Sequence, residues 1–107
     1  MDHQPLNINL DLYRTAKSPV FAGRDRGIEV KKKITLERLN SASEISFSIP
    51  DDVYALNSSF LLGLLGETIK FHKKNGLDSS QIIKVPDEFK STFEETIREA
   101  QQDDCLL

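Results

Sequence analysis

From Val53 to Phe71 the chain reads VYALNSSFLLGLLGETIKF, and no other segment says as much about the fold. Apolar residues surround most of a helix drawn through this segment, so the helix is predicted to be the most buried in the protein. Asn57 or Ser58 is a natural N-cap, which places the start of the helix there. The helix is predicted to run to about Lys74.

Two glycines interrupt this apolar helix, and a third follows its end. Gly63 and Gly66 each weaken a helix by up to about 1 kcal/mol relative to alanine. Two such residues in one buried helix predict close packing of its backbone against a sheet. After the helix, Asn75-Gly76 supplies a left-handed C-cap.

Strand patterns occur on both sides of the helix. Residues 6–13 and 44–49 alternate apolar and polar side chains, which is typical of half-buried strands. Residues 82–85 and the dipeptide Val20-Phe21 are shorter strand candidates.

Two further helices are predicted. Residues 28–40 carry an imperfect apolar stripe without internal proline or glycine, although Ile28-Glu29-Val30 fits a strand equally well. Pro86 opens the last helix, in which Phe89, Phe93 and Ile97 recur at i, i+4 and i+8. Strands that alternate with helices predict an α/β fold, with a small open sheet of three to four strands covered by three helices. One domain is expected over residues 1–107, with an ordered core of about 5–100.

Composition limits the classes of partner. The chain has 107 residues and a formal net charge of -3, so we expect neither nucleic acid nor an anionic membrane as partner. No apolar run reaches the ~20 residues that cross a bilayer, and the first four residues lack a signal-peptide pattern. The single cysteine, Cys105, fits a reducing compartment. The protein is therefore expected to be cytoplasmic.

Motifs for catalysis and cofactors are missing from the sequence. It contains neither of the glycine-rich phosphate loops, GxxxxGK[ST] and GxGxxG. The two histidines, His3 and His72, are too few for a zinc site, which needs about three protein ligands. Thirteen helical residues, roughly 20 Å, separate His72 from Ser59, which excludes a serine–histidine pair there. We therefore expect that the protein is not an enzyme and that it binds neither a metal nor a cofactor.

Two polar segments keep alternative interpretations open. Asp51 and Asp52 follow a predicted strand and are either ordinary turn residues or part of a site at the strand end. The segment Gly23–Gly27 precedes the first predicted helix and contains Arg24 and Arg26. These two guanidinium groups either hold an anion or lie in a solvated loop.

The segment from Ile49 to Gly66 resembles the signature region of STAS domains, the fold of bacterial anti-sigma-factor antagonists. In that family a strand leads into a turn of the type Asp-Ser-Ser-Gly and then into an apolar helix rich in Leu and Gly. Here Asn57-Ser58-Ser59-Phe60 fills the turn, with Asn57 in place of the acidic residue and Phe60 in place of the glycine. A closer resemblance is to the STAS-like domain family of unknown function. There Ser-Phe follows the strand, and an Arg…Gly element, matched by Arg24, Arg26 and Gly27, precedes the first helix.

The resemblance implies a regulatory signalling module that binds a protein, with a kinase-like anti-sigma or sensor protein as partner. It also implies a switch, because in STAS antagonists a serine at the start of this helix is phosphorylated and the phosphate abolishes docking. Carried over to this chain, the phosphorylated residue is Ser58, with Ser59 second. Asn57 and Phe60 complete the contact site. The alternative for Ser58 is that it only caps a buried helix.

Two other functions stay open at this point. One is an inhibitor or antitoxin-type protein from a mobile element, which the short acidic chain permits. The other is a small nucleotide-binding or anion-binding domain that uses Arg24 and Arg26 together with Asp51 or Asp52.

Overall fold

A computed structural model gives the fold and describes residues 4–14 and 18–103. Its strands are β1 (Pro5–Asn9), β2 (Val20–Phe21), β3 (Glu44–Ser48), β4 (Ala55–Leu56) and β5 (Ile83–Lys84). Its helices are α1 (Arg24–Ile34), α2 (Leu36–Ser41), α3 (Ser58–Lys74), α4 (Ser79–Ile82) and α5 (Lys90–Asp103). Short 3₁₀ turns cover Leu10–Tyr13 and Asp87–Phe89. None of the helices in the described ranges is long and apolar enough to span a bilayer.

The strands form two small parallel sheets. The larger has the order β1-β3-β5, and its register pairs Leu6 with Ile45 and Ile8 with Phe47. The smaller pairs β2 with β4. This arrangement confirms the predicted α/β class with a small open sheet.

One face of the larger sheet is buried and the other is polar. Leu6, Ile8, Ile45 and Phe47 point into the core, where the Phe47 ring lies 4.9 Å from the Phe93 ring of α5. On the opposite face the side chains of β1 and β3 are partly or fully exposed and hydrogen-bond to one another. Helices therefore cover only one face of this sheet, as the period-two alternation of β1 and β3 predicts.

Helix α3 is the centre of the core, which confirms its prediction as the most buried helix. Five of its apolar side chains are completely buried: Phe60, Leu61, Leu64, Leu65 and Ile69. It contacts α1, α2 and α5. It ends in a Schellman motif, in which the N–H of Leu77 donates to the His72 carbonyl at 2.8 Å and Gly76 has a φ of 72°. The predicted Asn75-Gly76 cap is thus confirmed.

The glycines of α3 pack differently from the prediction. A Cβ on Gly63 would clash with the Arg24 carbonyl of α1, and a Cβ on Gly27 would clash with the Phe60 carbonyl of α3. The backbones of α1 and α3 therefore cross in direct contact at Gly27 and Gly63, which requires glycine on both helices. The close contact predicted against a sheet is made against a helix instead, and Gly66 does not take part in it.

Several predicted boundaries are wrong. The first helix begins at Arg24 rather than Ile28 and breaks at Thr35, which has a φ of 89°. The first strand ends at Asn9, because the Asn9 side chain accepts a hydrogen bond from the Asp11 N–H and the chain turns into a 3₁₀ helix. The last helix begins at Lys90, since Pro86 opens a 3₁₀ turn before it.

Candidate functional site

Two helices begin side by side at the ends of two paired strands. Strand β2 leads into α1 and strand β4 leads into α3. The two strands are parallel, and the backbone N–H of Asn57 donates to the Phe21 carbonyl at 3.0 Å, which joins them at their carboxyl ends. The hydrogen bond from Asn57 to Phe21 therefore fixes the start of α3 against the end of β2. Carboxyl ends of parallel strands are a common location for binding sites in α/β proteins.

Residues Asn57, Ser58 and Ser59 form what we call the α3 entry turn. Asn57 is exposed, and the two serines are partly exposed. Asn57 occupies the N-cap position with extended backbone angles, and its side chain makes no capping hydrogen bond. Within the described residues, neither serine hydroxyl makes a hydrogen bond. The entry turn thus carries three polar side chains whose hydrogen-bonding groups are not used by the fold.

The structure corrects the capping interpretation of Ser58. Ser58 is the first helical residue rather than the N-cap, and its hydroxyl satisfies no backbone N–H. The N-cap position belongs to Asn57, whose backbone carbonyl accepts from the Leu61 N–H at 3.2 Å. A purely structural role for the Ser58 side chain therefore has no hydrogen bond to support it.

Phe60 does not belong to the exposed surface of this turn. Its side chain is completely buried, and its ring lies 5.2 Å from the Phe21 ring of β2. The prediction of Phe60 as a contact residue for a partner is corrected on this point, because a buried ring offers no surface. Its position in the apolar run Phe60-Leu61-Leu62 explains the burial. Phe60 instead anchors the entry turn to the smaller sheet.

The structure does not bring Arg24 and Arg26 together. Both lie in the first turn of α1, and two residues rotate a helix by about 200°, so they point to opposite sides. Arg26 donates to the Tyr13 carbonyl at 2.7 Å and to the Glu29 carboxylate at 3.0 Å. Arg26 lines a groove beside β2, so the structure gives no support to one anion held by both guanidinium groups. Arg24 lines a different groove, between α1 and α3.

The carboxylates Asp51 and Asp52 are turn residues. Both are exposed between β3 and β4. Asp52 pairs with the Arg14 guanidinium, with oxygen–nitrogen distances of 3.1 and 2.5 Å. The side chain of Arg14 is only 9 % exposed, so this ion pair joins the end of the first 3₁₀ turn to the loop before β4.

A buried histidine–serine pair lies away from the entry turn. The Nδ1 atom of His72 is 2.8 Å from the Ser79 Oγ, and both residues are buried. Burial lowers the pKa of the His72 imidazole below its ordinary value. Sequence reasoning missed Ser79, because it lies beyond the end of α3 and returns to His72 only through the α3–α4 turn.

The chain between residues 4 and 103, where described, holds no group of three or more metal-ligating side chains. His3 and Cys105 lie outside the described residues. Comparison with protein-family models, with curated proteins and with solved structures found no match to this chain. The resemblance to STAS domains therefore stays a prediction from residues 49–66.

An exposed tyrosine near the entry turn was also missed. Tyr54 is 74 % exposed and precedes β4, where its backbone N–H donates to the Pro19 carbonyl at 3.1 Å. Three extended residues, about 10 Å, separate it from Asn57. A large exposed aromatic side chain is typical of protein interfaces. The sequence offered no signal for its exposure, because Val53-Tyr54-Ala55-Leu56 has no regular alternation.

Proposed function

We propose that this protein is a non-enzymatic regulatory module that binds another protein through the α3 entry turn. Phosphorylation of Ser58, with Ser59 as the second site, switches the binding off. Tyr54 supplies apolar contact area beside the turn. The partner is a kinase-like anti-sigma or sensor protein, as the resemblance of residues 49–66 to STAS domains implies.

One observation carries the proposal. The two serine hydroxyls of the entry turn are partly exposed and unbonded, on a backbone that is fixed by the Asn57–Phe21 hydrogen bond and by the buried Phe60 ring. A rigid turn lets a partner or a kinase meet the same geometry at every encounter, which lowers the entropic cost of binding. The unused hydroxyl is open to modification without loss of any hydrogen bond in the fold.

The position of Ser58 determines what a phosphate would do. A phosphoserine adds about two negative charges. A helix N-terminus tolerates negative charge because its first backbone N–H groups have no partner within the helix and carry partial positive charge. Phosphorylation should therefore leave the fold intact. A partner that docks on the turn would instead have to bury the charged phosphate. Removing water from the phosphate costs free energy, and an acidic partner surface repels it. The modification thus acts on the complex rather than on the stability of the module.

Two measurements on the purified protein test the first part of the proposal. The tagged chain is recovered from cells that express it, and its phosphopeptides and bound proteins are identified by mass spectrometry. The proposal expects phosphate on Ser58 or Ser59 and a kinase-like or sensor protein in the complex. Unmodified serines in a protein recovered without any partner would contradict it.

Stability measurements provide the control. Ser58→Ala and Ser58→Asp should each change the free energy of unfolding by less than about 0.5 kcal/mol, because the Ser58 hydroxyl has no hydrogen-bond partner among the described residues. A larger loss would show that the hydroxyl has a structural role.

A further inference from the structure

A groove of about 160 Å³ lies between α1 and α3, and its α3 wall begins one helical turn beyond the entry turn. Arg24 and Lys31 of α1 line one wall, and Glu67 and Lys70 of α3 line the other. Arg24 and Lys31 are seven residues apart, and Glu67 and Lys70 are three apart. These spacings place each pair on one face of its helix, so four charged side chains meet along one seam.

Gly66 forms the floor of this groove. The residue is buried, yet a Cβ built on it would meet no described atom within 4 Å outside its own stretch of helix. Empty space therefore lies directly above the α3 backbone. The neighbouring Gly63 allows α1 to approach α3 closely, which brings the walls of the groove together.

The charge of the groove is opposite to that of the whole protein. Its lining has three cationic side chains and one carboxylate, whereas the chain carries a formal net charge of -3. The Lys31 ammonium pairs with Glu67, and the Lys31 side chain is only 14 % exposed. Across the described residues, Arg24 and Lys70 have no ion-pair partner. Two uncompensated cations therefore flank one neutralised pair.

We propose that this groove binds a phosphate-sized oxyanion, either free phosphate or the phosphate of a small nucleotide. Its guanidinium and ammonium groups are the usual partners of phosphate oxygens in proteins. Its volume is below the roughly 300–1,000 Å³ that encloses a drug-sized ligand, so only the phosphate group itself would enter. The proposal does not rest on the phosphorylation switch at the entry turn.

The test is a titration of the full chain with inorganic phosphate at constant ionic strength, monitored by ¹H–¹⁵N NMR. We expect saturable shifts centred on the groove, with a dissociation constant on the order of 1 mM or below. Arg24→Gln combined with Lys70→Gln should abolish saturation. Lys33→Gln, an exposed charge on α1 outside the groove, is the control and should leave binding unchanged.

A gain of affinity provides a test that misfolding cannot imitate. Glu67→Gln removes the only carboxylate that lines the groove among the described residues and releases Lys31. It should tighten phosphate binding by about tenfold, equivalent to 1.4 kcal/mol. Glu95→Gln removes one exposed carboxylate from α5 and should have no such effect.

Titration with AMP separates the two sources of the anion. A lower dissociation constant for AMP than for phosphate would assign the site to a nucleotide, and an equal or higher one would assign it to free phosphate. The proposal is overturned if neither compound gives saturable shifts. It is also overturned if Lys33→Gln weakens binding as much as the double variant, or if Glu67→Gln and Glu95→Gln behave alike.

Discussion

Gly27, Gly63 and Gly66 lie in α1 and α3 but have different surroundings. Replacing each by alanine shows how much space lies next to it. At Gly27 and Gly63 an added Cβ meets backbone atoms of the opposite helix, which cannot rotate away. At Gly66 an added Cβ meets no described atom within 4 Å outside its own stretch of helix. The same substitution should therefore destabilise the protein at two positions and stabilise it at the third.

Alanine variants test this difference. Gly27→Ala and Gly63→Ala should each lower the free energy of unfolding by about 1–3 kcal/mol or more, because α1 and α3 must move apart. Gly66→Ala should raise it by up to about 1 kcal/mol through helix propensity. Urea unfolding of the three variants measures all three values. Equal effects at Gly63 and Gly66 would show that the helices do not cross as described.

His72 makes the stability of the protein depend on pH. Burial lowers its pKa, and its buried Nε2 atom has no hydrogen-bond partner among the residues that the structure describes. The unfolded chain therefore binds a proton more readily than the folded protein once the pH falls below the ordinary histidine pKa of about 6.5. The contribution of His72 to stability is fully present above this pH and is lost as the pH falls toward the lower folded pKa.

Urea unfolding at pH 7.5, 6.5 and 5.5 measures this effect. The wild-type protein should lose stability between pH 6.5 and 5.5, with a slope of at most about 1.4 kcal/mol per pH unit from this residue. His72→Gln should have a flatter dependence over the same range. If the two proteins keep parallel pH profiles, the buried imidazole is not the cause.

Among the elements, the break between α1 and α2 depends on a single residue. Thr35 has a backbone φ of 89°, an angle that residues other than glycine rarely adopt. Its Oγ1 accepts a hydrogen bond from the Arg38 N–H at 3.3 Å and caps α2. The cap hydrogen bond and the unfavourable backbone angle act on stability in opposite directions at this residue.

Replacing Thr35 by glycine and by alanine isolates the backbone effect, since both variants lack the cap. Glycine is normally less favourable than alanine by about 0.5–1 kcal/mol. Here we expect Thr35→Gly to be the more stable of the two by about 1 kcal/mol, because an L-residue at this φ stores on the order of 1–3 kcal/mol. Thermal or urea unfolding compares them. A more stable alanine variant would exclude the positive φ.

The sequence predicts those elements whose pattern is local. The central helix, its C-cap and the strands at β1 and β3 follow from apolar periodicity and from Asn75-Gly76. The continuous run from Arg24 to Ser41 does not reveal its break, because Thr35 carries no sequence signal for a positive φ. The α1–α3 crossing depends on Gly27 and Gly63, which are 36 positions apart. Local periodicity cannot predict a contact over this separation.

At the scale of the whole molecule, the candidate site is a product of topology. The pairing of β2 with β4 holds the entry turn against Phe21, a contact that joins residues far apart in sequence. The sequence indicated the entry turn through its resemblance to STAS domains. Two features of the candidate site do not follow from a local pattern: the burial of Phe60 depends on its contact with Phe21, and the separation of Arg24 from Arg26 depends on α1 beginning at Arg24.

The two proposals use neighbouring surfaces of the same pair of helices. The entry turn lies at the carboxyl ends of β2 and β4, and the basic groove lies along the seam between α1 and α3. Gly63 of the groove lies one helical turn from Ser59 of the entry turn, so the effects of substitutions at the two surfaces are not expected to be purely additive.

The most direct measurement compares partner recovery by four forms of the tagged protein: wild type, Ser58→Ala, Ser58→Asp and Ser91→Asp. Ser91 is the matched control, because it is an exposed serine in the first turn of α5. Quantitative mass spectrometry of each capture should show the same partner with wild type, Ser58→Ala and Ser91→Asp. With Ser58→Asp its recovery should fall by about tenfold or more, which corresponds to at least 1.4 kcal/mol of binding free energy. Equal recovery with Ser58→Asp and Ser91→Asp would contradict a switch at the α3 entry turn.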